Sequence, residues 1–195
     1  VPYARYGESV EGVTARIEGL RAALADGLDR EGLQGALPAG AARNALDCAF
    51  WDLAAKRAGR RVWELAEARA LGAAADPGPE VTAYTLSLAA PEAMRATAAA
   101  HAGRPLLKVK LGGPGDLERL RAVREGAPRA RLVIDANEGW DAATYAAIAP
   151  ELVGLGVEMV EQPLPAGEDD ALAGMARPLP VCADESCHDR ASLPA

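Results

Sequence analysis

The chain has 195 residues, half of them hydrophobic and a quarter charged, with a formal net charge of -7. This is globular rather than disordered composition, and an acidic chain without a basic patch is a poor partner for nucleic acid or anionic membranes. No apolar run reaches the ~18 residues of a membrane span, residues 1–9 carry no charged-then-apolar leader pattern, and the start at Val1 rather than Met points to a piece of a longer protein.

From the N-terminus, residues 9–26 place apolar side chains at helical spacing behind Ser9, a residue suited to capping. Residues 27–40 are glycine-rich, include Pro38, and read as a connection. Residues 41–58 predict a strong helix, with Leu46, Ala49, Phe50, Leu53 and Ala54 on one face and Gly59 as its stop. A short helix is expected over 62–70. Ala75, Asp76, Pro77, Gly78 and Pro79 form the clearest boundary in the chain, so we expect one domain over residues 1–76 and a second over 77–195.

Beyond that boundary short apolar strands alternate with helices. Strands are expected at 81–88, 106–111, 132–135, 157–161 and 181–184, with helices at 91–102, 116–125, 141–153 and 168–176 between them. Such alternation argues for an α/β fold with a parallel sheet and helical crossovers. The spacing alone does not separate a (β/α)8 barrel from an open doubly wound sheet. No G-x-G-x-x-G follows a strand. Residues 112–115 (Gly, Gly, Pro, Gly) lack the Lys and Ser/Thr of a phosphate loop and read as a turn. Charged residues at the C-terminal ends of several strands favour the barrel, whose sites lie at that face.

The chain has 18 arginines but only three lysines, Lys56, Lys108 and Lys110. Two lysines in one tripeptide of the second expected strand point to the same side, because strand residues two apart share a face. Side by side, each is expected to depress the other's pKa, and a lysine so tuned is a competent general base. The third, fourth and fifth strands end in Asp135, Glu161 and Asp184. Neighbouring strands lie about 4.8 Å apart, so the three carboxylates can meet around one ion, and an all-oxygen set suits Mg2+ or Mn2+. A lysine base beside a Lewis-acidic metal supports proton abstraction alpha to a carboxylate. The cysteines, Cys48, Cys182 and Cys187, are odd in number and scattered, which argues for a reducing cytoplasm. With His188 they fit no zinc spacing.

Four segments taken together, Lys108 to Lys110, Asp135 to Trp140 (D-A-N-E-G-W), Val160 to Pro163 (V-E-Q-P) and Ala183 to Ser186 (A-D-E-S), resemble the enolase superfamily and, within it, the muconate-lactonizing subgroup. Residues 1–9 and 82–87 are similar to bacterial dipeptide epimerases acting on L-Ala-D/L-Glu. The resemblance implies a partial TIM-type barrel of about five βα units over 77–195, preceded by the helical part of an α+β capping domain. It implies Mg2+ on Asp135, Glu161 and Asp184, Lys110 as acid/base with Lys108 beside it, and Asn137 and Glu185 supporting the site. Tyr6 and Thr85 would be substrate contacts. It further implies a cytoplasmic isomerase, a homo-oligomer, and a small carboxylate substrate such as a dipeptide. The second catalytic lysine and a D-x-D element for the dipeptide ammonium would lie beyond Ala195. Another subgroup activity (N-acylamino acid racemase, o-succinylbenzoate synthase, cycloisomerase) and a truncated metal-binding remnant remain the alternatives.

Overall fold

The computed structural model describes residues 2–66 and 78–193. The chain divides into two units, Val1–Gly78 and Pro79–Ala195. Residues 67–70 of the expected helix and 75–77 of the expected boundary lie outside the described residues.

The first unit is helical. Ser9 caps α1 (Val10–Gly19) by accepting a 3.0 Å hydrogen bond from the Gly12 N–H. A break at Leu20 leads into α2 (Arg21–Ala25). The segment read as a connection contains α3 (Arg30–Ala36), capped by Asp29, whose carboxylate accepts from Gly32 N at 2.8 Å. Its glycines hide the helix from propensity, and the full burial of Leu33 offsets them. The strong helix forms as expected, α4 (Ala41–Ala58), and ends on Gly59 at φ 60. Gly40 has no side chain to cap α4, so Glu8 does it from a distance, accepting from Ala41 N at 2.7 Å. The expected apolar face of α4 is not a buried one. Ala42 and Ala55 are buried, Leu46 and Phe50 only partly, and Leu53 is 43% exposed. The short helices α1 and α3 that pack on α4 cover less of it than the apolar stripe spans. A short α5 (Val62–Leu65) follows.

The second unit is a five-stranded, wholly parallel sheet in the order β1-β2-β3-β4-β5. Its strands are β1 (Tyr84–Leu86), β2 (Leu106–Lys110), β3 (Arg131–Asp135), β4 (Val157–Glu161) and β5 (Val181–Cys182). Three crossovers are helical, α6 (Pro91–Ala100), α7 (Asp116–Gly126) and α8 (Ala142–Gly154). The fourth is a 3-10 turn, Asp169–Gly174, where a regular helix was expected. β1 and β5 are shorter than expected, and residues 183–184 have already left the sheet.

Alternation decides the two faces of the sheet. Leu107, Val109, Leu132, Ile134 and Val160 are fully buried in one cluster with Met94 and Ala98 of α6, Leu120 and Val123 of α7, and Tyr145, Ala149 and Leu152 of α8. The residues between them, including Lys108 and Lys110, therefore face the other side. Between β3 and β4 the register slips: Leu132 pairs with Val157 but Val133 with Met159. The inserted residue, Glu158, turns outward to Arg131 at 2.8 Å, and the slip brings Asp135 level with Glu161. Among the described residues, no helix is long and apolar enough to cross a membrane.

Candidate active site

The register carries the chemistry-bearing side chains to one end of the sheet. Thr85 is level with Lys108, Lys110 with Asp135, and Asp135 with Glu161. Glu161 is level with Cys182, two residues before Asp184. Ligand oxygens of Asp135, Glu161 and Asp184 all lie within 4.8 Å of one another, the one such grouping of three found among the described residues. Cys182, Cys187 and His188 form no such grouping there. The Asp135 side chain is wholly buried, Glu161 is 14% exposed, and Asp184 lies open.

Both lysines reach into this cluster. The Lys108 ammonium donates to Glu161 at 2.6 and 2.7 Å and pairs with Asp135 Oδ2 at 2.9 Å. Lys110 donates to the same Asp135 oxygen at 2.6 Å. Burial works to lower the Lys108 pKa, yet Glu161 and then Asp135 raise it above the ordinary lysine value. For Lys108 this corrects the expectation of a depressed pKa: the two carboxylates within hydrogen-bonding distance outweigh burial. The ion pair is asymmetric. Burial holds the Glu161 carboxyl above its usual range although Lys108 opposes it, and neighbouring Asp135 adds to the rise. Asp135 is buried too, but bonds from Lys110, Lys108 and the Asn137 N–H bring it below its usual value. Two acids on one site thus ionise apart, Asp135 first.

The loops that follow the strands are tied to each other. Asn137 and Glu138 adopt φ 47 and 61, and Gln162 φ 35, so the three non-glycine residues in left-handed backbone among the described residues all sit just past β3 and β4. Strained backbone of this kind persists where surroundings over-determine it. Here Glu138 N donates to Gln162 O, Trp140 N to Pro163 O, and Ala166 N to the Glu138 carboxylate. Gly139 packs against the Gly112 backbone so closely that a Cβ would sit 2.6 Å from it. Asp116, a buried acid at the start of α7, accepts from Gly112 N, Gly113 N and the Trp140 indole and pairs with Arg119 at 2.9 Å. Sequence reasoning gave Asp116, Trp140 and Gln162 no role. For Asp116 the signal was an acid directly behind a Gly-Gly-Pro-Gly turn.

The remaining expected site residues fall as follows. The Asn137 backbone N–H donates to Asp135 Oδ1 at 3.0 Å and its side chain is exposed. Glu185 is partly buried, with Oε2 enclosed and making no hydrogen bond. Thr85 is exposed on β1. Tyr6 belongs to the first unit, 42% exposed, its ring 5.7 Å from Tyr3 in an edge contact.

Comparison with known proteins follows the same division of the chain. Residues 89–194 match the family described as enolase C-terminal domain-like, and residues 1–66 match the mandelate racemase / muconate lactonizing enzyme N-terminal domain. The whole chain is 48% identical to an L-Ala-D/L-Glu epimerase of Escherichia coli K12, covering 59% of that protein. It is 41% identical to an N-acetyl-D-glutamate racemase of Pseudoalteromonas, covering 60%. The chain thus spans about three-fifths of the curated relatives it matches. Among solved structures, an enolase family member from Agrobacterium tumefaciens, with bound sodium and L-Ala-L-Glu, is 52% identical with a TM-score of 0.88, over 99% of this chain and 57% of that one. A dipeptide epimerase from Enterococcus faecalis, complexed with Mg and L-Leu-L-Tyr, is 26% identical with a TM-score of 0.80, over 95% of this chain and 55% of that one.

Proposed function

The chain belongs to the enolase superfamily, with the N- and C-terminal domains of its mandelate racemase/muconate lactonizing enzymes, and from that premise we propose that the complete protein is a cytoplasmic, Mg2+-dependent, homo-oligomeric epimerase of dipeptides such as L-Ala-L/D-Glu, with residues 1–76 in its capping domain and 77–195 in its barrel. The observation that carries the reading is the convergence of Asp135, Glu161 and Asp184 within 4.8 Å beside Lys108 and Lys110.

The residues present fit a hard divalent cation: three carboxylates, all-oxygen donors, with an open side left for substrate. Once bound to Asp135, Glu161 and Asp184, Mg2+ supplies Lewis-acid stabilisation of charge on the substrate carboxylate. Mn2+ offers the same donor preference. Lys110, 34% exposed at the rim of the cluster, takes or returns the alpha proton on one face of the substrate. Lys108, deeper and doubly paired, holds the substrate carboxylate at the cluster. Thr85, level with Lys108, borders the substrate, and Asn137 and Glu185 support Asp135 and the Asp184 loop. Inversion needs a second base on the opposite face of the substrate, which we place in the part of the complete protein outside the three-fifths that this chain spans.

A second reading is favoured by one observation. The relatives at 48% and 41% identity are named for L-Ala-Glu and for N-acetylglutamate, both glutamates acylated on nitrogen. The shared requirement is an N-acylated glutamate, and a free amino terminus is what separates the two. Proton NMR in D2O with Mg2+ and the complete protein tests both. Exchange and inversion at the glutamate alpha carbon of L-Ala-L-Glu and L-Ala-D-Glu, exceeding those of N-acetylglutamate, are expected. Preference for N-acetylglutamate would make the protein an N-acylamino acid racemase, and a folded, metal-loaded protein inert to both would contradict the epimerase and racemase readings alike.

A further inference from the structure

We propose that Gln162 is a positioning residue for the metal centre: its buried amide fixes the loop that carries Asp184, so that the third carboxylate meets the other two. The inference rests on the metal reading above. Asp135 and Glu161 end strands bonded on both sides, and their backbones are set by the sheet. Asp184 has no such support. β5 is two residues long, bonded to β4 alone among the described strands, and the chain has left the sheet by residue 183.

What holds the loop instead is one side chain. Gln162 Oε1 accepts from Asp184 N at 2.9 Å and from Ser186 N at 3.0 Å. Gln162 Nε2 donates to Ser186 Oγ at 2.8 Å and to Leu164 O at 2.9 Å, with Asp169 Oδ1 sharing one of these hydrogens at 3.3 Å. The Gln162 backbone N–H completes the tie, donating to Cys182 O at 2.9 Å. An amide is the side chain that offers a two-fold acceptor and a donor pair at one end, and here both are in use. Gln162 is 1% exposed, and a residue without that pairing would leave the Asp184 and Ser186 N–H groups without their shared acceptor. The residue keeps left-handed backbone at φ 35 directly after the ligand Glu161, which aims its amide across to the next loop. A single residue thus links the second ligand, by chain adjacency, to the third, by hydrogen bonding.

The test measures Mg2+ affinity by isothermal titration calorimetry in the complete protein. Gln162→Met keeps length and volume and removes both hydrogen-bonding functions. We expect it to bind Mg2+ at least ~10-fold more weakly than wild type while its circular dichroism stays native, with Lys108 and Lys110 untouched. Gln162→Asn, which keeps the amide but falls one methylene short, is expected to behave alike and serves if the Met variant does not fold. A folded variant with a lowered Tm but wild-type Mg2+ affinity would overturn the inference, since that is the signature of a merely structural role. Asp135→Asn provides the separate control. It is expected to lose Mg2+ binding, and if it binds as wild type does, the metal reading itself falls and this inference with it.

Discussion

Lys108 lies between two carboxylates of opposite tendency, and that sets its dependence on pH. Its raised pKa means that its stabilisation is complete below the ordinary value of 10.5 and is lost only as pH rises through a higher one. Asp135, depressed, contributes above its ordinary 3.8 and loses that contribution as pH falls through its lower folded value. Glu161 runs the other way. Burial favours its neutral form, so its contribution is greatest below 4.5 and fades as pH rises through its raised value. In Lys108→Met, Glu161 keeps its burial and loses its ammonium partner, while Asp135 keeps Lys110. Without metal, this variant should be less stable than wild type by about 2–3 kcal/mol at about pH 8, below the full cost of breaking a buried pair because Glu161 is partly exposed. The deficit should shrink towards about pH 5, because burial favours the neutral form of Glu161 and the uptake of a proton removes the unpaired charge. Urea melts at the two pH values check this, and an equal deficit at both would contradict it. Mg2+, which substitutes for the lost cation, should restore most of the stability.

The loops that hold these side chains depend on a close backbone approach and a few shared acceptors. Gly139→Ala places a methyl group against Gly112, with backbone on the receiving side that has little room to yield. We expect it to destabilise by about 1–3 kcal/mol, in the range of overpacking, and to weaken Mg2+ binding by shifting Asp135. A variant with unchanged melt and affinity would contradict the described contact. At the other end of the sheet, Arg124 donates to carbonyls of Leu155, Ala130 and Gly156 and clasps the turns after α7 and α8. Arg124→Met should cost about 2–4 kcal/mol through orphaned carbonyls and leave the metal site alone, a separation readable from paired melts and Mg2+ titrations. These elements also mark where sequence was informative. Strand positions from Leu106 to Glu161 were legible because apolar periodicity there records burial between sheet and helices. The three carboxylates were legible because each closes such a run. Helix α3 was not, since its stability comes from burial of Leu33 and not from propensity. Nor were the Gln162 and Asp116 networks, whose partners lie in other loops and leave no local pattern. The raised pKa of Lys108 escaped because sequence shows which charge is adjacent along the strand, and not which is nearest across it.

On the scale of the molecule, β1 and β5 each bond on one side only among the described strands. Unpaired edges of a parallel sheet recruit further strands. Expressed alone, residues 1–195 should therefore self-associate or precipitate, and sedimentation of a stable monomer with a sharp melt would contradict this. The spacing of the ligands has a consequence for how such a chain opens and closes. Asp135, Glu161 and Asp184 each come from a different strand–helix repeat. An ion shared among them is a cross-link between repeats that are otherwise joined through their ladders and packing, and it acts where the backbone is least regular. Metal should thus merge three locally opening segments into one cooperative unit. In amide hydrogen exchange, the residues following β3, β4 and β5 should gain protection together, at one ion concentration, while the helical first unit exchanges as before.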